Sequence, residues 1–227
     1  ILTILEDALT IQDNGRFKKE DVIHTIICPM RHTSNDITFE EMNLWIIDER
    51  LAYHRFLASD KTIKSLPEVD SSSTKEVDLA VFDRAFAYTD DDSPLNTITI
   101  VEFKKPDNKR DNPISQMGGY IDEITHGHKK RANGLSFGDC SKTAFRCYAV
   151  CDLTPRMIRH CRDAGLRITP DGMGYYGYQP ERNAYFEVIS YPKLLADAKK
   201  RNRILFDKLF EAKPGEVIHI PDVKEAK

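Results

Sequence analysis

The sequence predicts a mixed α/β domain, and three patterns in its 227 residues carry that prediction. The segment Ile98 to Lys104 is the strongest strand signal, because it is rich in β-branched residues and is closed by Pro106. Ile114 to Ile124 and Leu194 to Phe210 instead repeat their apolar residues at helical spacing. Strand patterns and helix patterns are interleaved along the chain, which is typical of the mixed α/β class.

Composition and charge are those of an ordinary globular protein. Hydrophobic residues make up 41% and charged residues 30% of the sequence, and no apolar run is long enough to cross a membrane. Five cysteines at irregular spacings form no CxxC pairs, which favours reduced thiols in a cytoplasmic protein. The formal net charge is -3, but basic residues gather in local clusters that are able to hold phosphates.

The first third of the sequence predicts helices. Residues 1–27 predict two short helices around an Asp-Asn-Gly turn, and we interpret residues 1–35 as an N-terminal helical extension of a main domain at 36–227. A longer helix is predicted from about Phe39 to Leu57, where apolar residues form one stripe. Glu49 lies in the middle of that stripe, so we expect it to find a partner or to point into a cleft.

The remainder of the chain alternates strands and helices. The predicted strands are Val77–Phe82, Ile98–Lys104, Phe145–Cys151, Tyr175–Tyr178 and Tyr185–Ser190, and the predicted helices are Ile114–Ile124, Pro155–Ala164 and Leu194–Phe210. The domain is therefore expected to end in a strand pair followed by a helix.

Two strands carry the residues that predict chemistry. Side chains alternate along a strand, so Glu102 and Lys104 project from the same face. Such a pair is usually a surface ion pair that contributes little. Asp78, however, enters a strand two dozen positions earlier, and antiparallel pairing would place its carboxylate beside that of Glu102. Two carboxylates that close are tolerated where a divalent cation such as Mg²⁺ lies between them.

These residues resemble the motif of the PD-(D/E)XK nuclease superfamily over roughly residues 40–152. Asp78 and Glu102-Phe103-Lys104 match its core motif, although Val77 stands where the name of the family has Pro. The segment Gln116-Met117-Gly118-Gly119-Tyr120 resembles the QxxxY element of related branches. The resemblance implies a restriction endonuclease-like αβββαβ core with a mixed central sheet. Asp83, at the far end of the same strand, is the alternative to Asp78.

The resemblance also implies roles for these residues. Asp78 and Glu102 would bind Mg²⁺ or Mn²⁺ together with the carbonyl of Phe103. Lys104 would position or deprotonate the attacking water, or stabilise charge on the phosphorane. Metal-polarised water and phosphate would then permit hydrolysis of a phosphodiester.

Further catalytic and metal-linked residues follow from the same resemblance. Gln116 and Tyr120 would complete the catalytic set. The superfamily often carries a metal-linked Glu on its first helix, for which Glu49 is the candidate and Glu40 the alternative. The competing interpretation of Glu49 is a salt bridge to a neighbouring cation.

The partners are expected to be nucleic acid and a further domain. Lys105, Lys109 and Arg110 follow the motif and are predicted to contact the substrate, which we expect to be DNA, with RNA left open. The chain also resembles the C-terminal part of large bacterial proteins with a gyrase-type or chaperone-type ATPase domain, which implies a linked or associated ATPase and a role in defence against foreign DNA. A homo-oligomer is compatible with the sequence.

Two other functions stay open at this point. One is a nuclease fold that has lost its activity and binds nucleic acid or a partner subunit. The other is an interaction domain in which the Glu102-Phe103-Lys104 motif is coincidental. The intact set of Asp78, Glu102 and Lys104 favours the enzyme.

Overall fold

The computed structural model describes residues 1–13, 15, 17–52, 54, 56–66, 69, 71–83, 97–125 and 143–211. Within them lie five α-helices and seven strands. The helices are α1 Leu2–Ala8, α2 Glu20–Ile27, α3 Pro113–Thr125, α4 Pro155–Asp163 and α5 Tyr191–Glu211. The strands are β1 Phe56–Thr62, β2 Glu76–Asp83, β3 Thr97–Phe103, β4 Ala144–Val150, β5 Arg167–Ile168, β6 Gly174–Gln179 and β7 Ala184–Ile189.

The strands form one mixed sheet in the order β1-β2-β3-β4-β7-β6-β5. The first three strands are an antiparallel meander, β3, β4 and β7 are mutually parallel, and β5, β6 and β7 are antiparallel. The predicted α/β class and the closing strand pair with its helix are therefore confirmed. Because β2 runs against β3, the start of β2 and the ends of β3, β4 and β7 meet at one edge of the sheet.

Alternation of side chains along the strands divides the core into two clusters. The front cluster packs under α3 and α4 and includes Ile98, Ile100 and Tyr120. The back cluster packs under α1, α2 and α5 and includes Val101 and Phe103. Both faces of the central strands are covered, so every residue of β3 after Thr97 is buried.

The two N-terminal helices predicted from the sequence are present. Residues 1–35, interpreted as an extension, supply fully buried side chains to the back cluster, among them Leu5, Ile23 and Ile27. None of the helices in the described ranges combines the length and the apolar character that a membrane span needs.

The long helix predicted from Phe39 to Leu57 is wrong. The segment forms three single 3-10 turns, and its last residues belong to β1, where Leu57 pairs with Val81. Most of its apolar residues, among them Met42, Ile46 and Leu51, are still buried, because the turns wrap over the back cluster, whereas Phe39 is exposed. Polar contacts interrupt the helix: the backbone N–H and the side chain of Asn43 donate to the end of α2, and Asp48 accepts from the backbone N–H of Arg50.

A buried polar contact joins α2 to β1 behind the sheet. His24 stacks on Phe103 with ring centroids 5.1 Å apart, and its Nε2 lies 2.9 Å from Oγ of the fully buried Ser59. Burial lowers the pKa of His24 from 6.5 to about 4, although the charges of Asp60 and Asp21 act in the opposite direction. The folded protein therefore holds this imidazole neutral.

We predict that His24 makes the fold sensitive to acid. Between its ordinary pKa and about pH 4 the unfolded chain binds a proton that the folded chain excludes, so stability falls as the pH falls through this window. The difference between the pKa of His24 in the unfolded chain and in the folded chain limits the loss of unfolding free energy to about 3 kcal/mol. Chemical denaturation between about pH 7 and about pH 4 should show that loss in the wild type and in the control His32→Gln, whose histidine is exposed. An equally steep loss in His24→Gln would contradict the prediction.

Candidate active site

The register between β2 and β3 brings the predicted acids together. Leu79 pairs with Val101, and one further step along the same register sets Asp78 opposite Glu102. Alternation then turns both carboxylates towards the front face of the sheet. The backbone N–H of Phe103 donates to Oδ2 of Asp78 at 2.7 Å, which holds this carboxylate at the end of β3.

The Glu102 carboxylate is buried and half satisfied. The residue is 1% exposed, and its Oε1 accepts a hydrogen bond from Nζ of Lys104 at 2.7 Å. Its Oε2 is buried with no hydrogen-bond partner in the part of the chain that the structure describes. Burial, followed by the negative charge of Asp78, raises the pKa of Glu102 to about 8, against the opposing charge of Lys104. A buried oxygen in this position lacks the partner that interiors normally provide.

Lys104 is held through its backbone by β4 and α5 and through its side chain by Glu102. Its backbone N–H donates to the carbonyl of Val150 on β4 at 2.9 Å, and its carbonyl accepts from Oη of Tyr191, at the start of α5, at 2.5 Å. Burial acts to lower the pKa of Lys104, but the charge of Glu102 and their hydrogen bond outweigh it and raise that pKa above its ordinary value. The side chain is therefore an ammonium group fixed against Glu102.

Asp78 adds a second negative charge to the same place. Burial raises its pKa to about 6, opposed by the N–H of Phe103 and the charge of Lys104. Two carboxylates share one ammonium, so the group carries excess negative charge when both acids are ionised. A cation beside them would remove this excess and would supply a partner for Oε2 of Glu102.

The donor set fits Mg²⁺ or Mn²⁺. No group of three or more His, Cys, Asp or Glu side chains with metal-binding geometry occurs in the described residues, so a closed protein cage is absent there. Mg²⁺ commonly uses only one or two carboxylates and keeps several waters. Asp78 and Glu102 supply two carboxylates, and the unpaired Oε2 of Glu102 is an oxygen of the kind that Mg²⁺ prefers as a ligand.

Gln116 and Tyr120 meet on α3 as their spacing predicts. Nε2 of Gln116 donates to Oη of Tyr120 at 2.6 Å, and that hydroxyl donates to the carbonyl of Glu76 at 2.7 Å. The pair therefore anchors α3 to the first residue of β2. Burial and then the charge of Glu102 raise the pKa of Tyr120.

Glu20 is a residue that the sequence analysis missed. It opens α2, is half-buried, and accepts a hydrogen bond from the backbone N–H of Lys105 at 3.1 Å. Its charge contributes to the raised pKa values of Asp78 and Glu102. No local pattern marked it, because the sequence predicted a later helix from Phe39 to Leu57 and only the structure shows that α2 is the α-helix that precedes β1 in the described ranges.

The structure does not bring Glu49 or Glu40 to the acidic pair. Both side chains are exposed on 3-10 turns, so the expected position of Glu49 inside a buried stripe is wrong. Its neighbour Asp48 is the half-buried acid, and it accepts hydrogen bonds from Arg50 and from Oη of Tyr148. The side chain of Asp83, the alternative to Asp78, lies outside the described part of the structure.

The predicted basic contacts lie on the loop that leaves the site. Lys105, Lys109 and Arg110 are all exposed. Lys109 forms an ion pair with Asp107 at 3.0 Å, and the backbone N–H of Asp107 donates to Asp152 at 2.7 Å. The loop after β3 is thereby fixed to the loop after β4.

A separate groove of about 450 Å³ opens where β4 and β7 begin, at the end of the sheet away from the acids. Arg50, Arg146, Tyr178 and Tyr185 are among its lining residues. The groove is therefore distinct from the candidate active site.

Comparison of the chain with protein-family models, with curated proteins and with solved structures finds no match.

We predict that Mn²⁺ or Mg²⁺ raises the melting temperature of the protein through Asp78 and Glu102. A ligand at about 100 times its dissociation constant stabilises the folded state by about 2.7 kcal/mol. Thermal unfolding and calorimetry should show this effect in the wild type and lose it in Asp78→Asn and Glu102→Gln. Glu187→Gln, which alters a half-buried carboxylate on β7, serves as the control and should keep the response. Equal metal responses in all four proteins would exclude the site.

Proposed function

We propose that this chain is a metal-dependent nuclease domain of the PD-(D/E)XK type that hydrolyses phosphodiester bonds in DNA. The observation that carries the proposal is the buried carboxylate of Glu102, with one oxygen bonded to Lys104 and the other unpaired beside Asp78. An ordinary structural ion pair would leave no buried oxygen without a partner.

The order of elements supports a restriction endonuclease-like core. From α2 onward the chain runs α2, β1, β2, β3, α3 and β4, with short 3-10 turns between them. This is the αβββαβ order that the motif resemblance implies. We assign α2, with Glu20 at its start, to the position of the first helix of that core.

The residues divide the chemistry among them. Asp78 and Glu102 would hold Mg²⁺ or Mn²⁺, which when bound polarises the phosphate and lowers the pKa of a water. Lys104 carries its proton firmly, so we assign it to orienting the attacking water and to neutralising charge on the phosphoryl oxygens, rather than to removing a proton. The water oxygen bonds to phosphorus and releases a proton to solvent, while the departing sugar oxygen leaves and takes one up.

We predict that Glu102→Gln and Lys104→Met reduce cleavage of plasmid DNA in Mg²⁺ by at least about 100-fold, since each removes a group that acts on the reacting atoms. Gel assays of cleavage, with circular dichroism as the check on folding, provide the measurement. Glu187→Gln and Lys200→Met are matched controls on β7 and α5 that should retain activity.

Two outcomes would overturn this proposal. Equal cleavage by the wild type and by both folded variants would show that these residues are not catalytic. Metal binding without cleavage of single-stranded DNA, double-stranded DNA or RNA would instead favour an inactive nuclease fold that binds nucleic acid.

A further inference from the structure

One face of α4 carries three exposed arginines, Arg156, Arg159 and Arg162. We propose that this arginine face binds the sugar-phosphate backbone of the DNA whose phosphodiester enters the site at Glu102. The inference rests on the proposed function and extends it, because it assigns the surface that holds the substrate outside the reacting group.

The packing of α4 directs these arginines outward. Met157 and Cys161 are buried in the front cluster, so the orientation of the helix about its axis is set. Residues three and six positions apart lie within an arc of about 120° and span about 9 Å along a helix axis. The three guanidinium groups therefore form one strip on the solvent side of α4.

The start of α4 lies beside the active site. Strand β4 pairs in parallel with β3, with Val150 next to Phe103, and α4 begins shortly after β4 ends. Thr154 caps the helix by accepting from the backbone N–H of Met157. Nη1 of Arg156 donates to the carbonyl of Lys109 at 3.2 Å, which ties α4 to the basic loop that follows Lys104. The strip thus continues the surface begun by that loop.

No acid neutralises the charges of the strip within the described structure, where Arg156 donates hydrogen bonds to the neutral carbonyl of Lys109 and to the ring of His160. Within its ranges, neither Arg156, Arg159 nor Arg162 forms an ion pair, and the one acid on the helix is Asp163 at its end. Other exposed cations of the same chain do pair with acids. Examples are Arg31 with Asp60, Lys75 with Glu123 and Lys199 with Glu6.

A polyanion is the partner that this arrangement fits. The chain as a whole has a net charge of -3, so its overall charge would not attract a polyanion. The arginine strip is a local concentration of positive charge that can do so. Guanidinium groups match phosphate oxygens in geometry and charge, and contacts to phosphates position a nucleic acid without reading its sequence. The strip would therefore contribute affinity and orientation, with little sequence preference.

The test is the salt dependence of DNA binding by the full chain in EDTA, where cleavage is suppressed. A fluorescein-labelled duplex of about 20 base pairs and the corresponding single strand are the probes, and anisotropy gives the affinity. The test variant is Arg156→Ala/Arg159→Ala/Arg162→Ala. The matched control, Lys199→Ala/Lys200→Ala/Arg203→Ala, removes the same charge from α5 on the back of the sheet.

We expect the test variant to lose at least about tenfold in affinity, and the slope of log K against log salt concentration to fall by about 0.9 per lost contact on duplex or about 0.7 on single strand. The probe that shows the larger loss of affinity in the test variant identifies the form of DNA that the strip binds. Replacement of all three arginines by lysine should recover most of the slope, which a purely structural role would not do. Wild-type affinity and slope in the test variant, or an equal loss in the control, would overturn the inference.

Hydrolysis of a small phosphodiester distinguishes failure of this inference from failure of the proposed function. Bis(4-nitrophenyl) phosphate with Mn²⁺ is too small to reach from Glu102 across α4, so the test variant should hydrolyse it at the wild-type rate while Glu102→Gln does not. Arginine-dependent DNA binding without hydrolysis by the wild type would overturn the nuclease proposal alone. Hydrolysis that depends on Glu102, together with wild-type DNA binding by the test variant, would overturn the arginine strip alone.

Discussion

The buried carboxylate of Glu102 is the constraint on which the candidate site depends. An ionised carboxylate in the interior needs its oxygens paired, and here Lys104 satisfies only one of them. The fold has two ways to relieve this cost: the acid can take up a proton, which its raised pKa favours, or a cation can bind beside it. Because the two compete for the same oxygen, metal binding at this site would release a proton.

The topology of the sheet explains why the site lies where it does. Strand β3 is antiparallel to β2 and parallel to β4, so one edge collects the start of β2 and the ends of β3 and β4. Lys104, just beyond β3, is held through its backbone by Val150 and by Tyr191. Helix α5 thus supports the backbone of a residue near the middle of the chain, while the ammonium group is bound to Glu102.

The two glutamates considered for the first helix show how a local pattern can mislead. Apolar residues spaced three and four apart suit an α-helix, but they also suit successive 3-10 turns that cover a flat cluster. The side chains of Asn43 and Asp48 bind backbone groups and thereby stabilise the turns, which leave Glu49 exposed. Glu20 reached the site instead through a contact with Lys105, 85 positions away in sequence.

The sequence by itself determined the features that depend on neighbours along the chain. The shared face of Glu102 and Lys104 follows from the two-residue period of a strand, and the contact of Gln116 with Tyr120 follows from their spacing on a helix. Only the tertiary structure decided the burial of Glu102 and the placement of Glu20 and the α4 arginines. Burial and long-range contact depend on which distant segments pack together, and no local period encodes that choice.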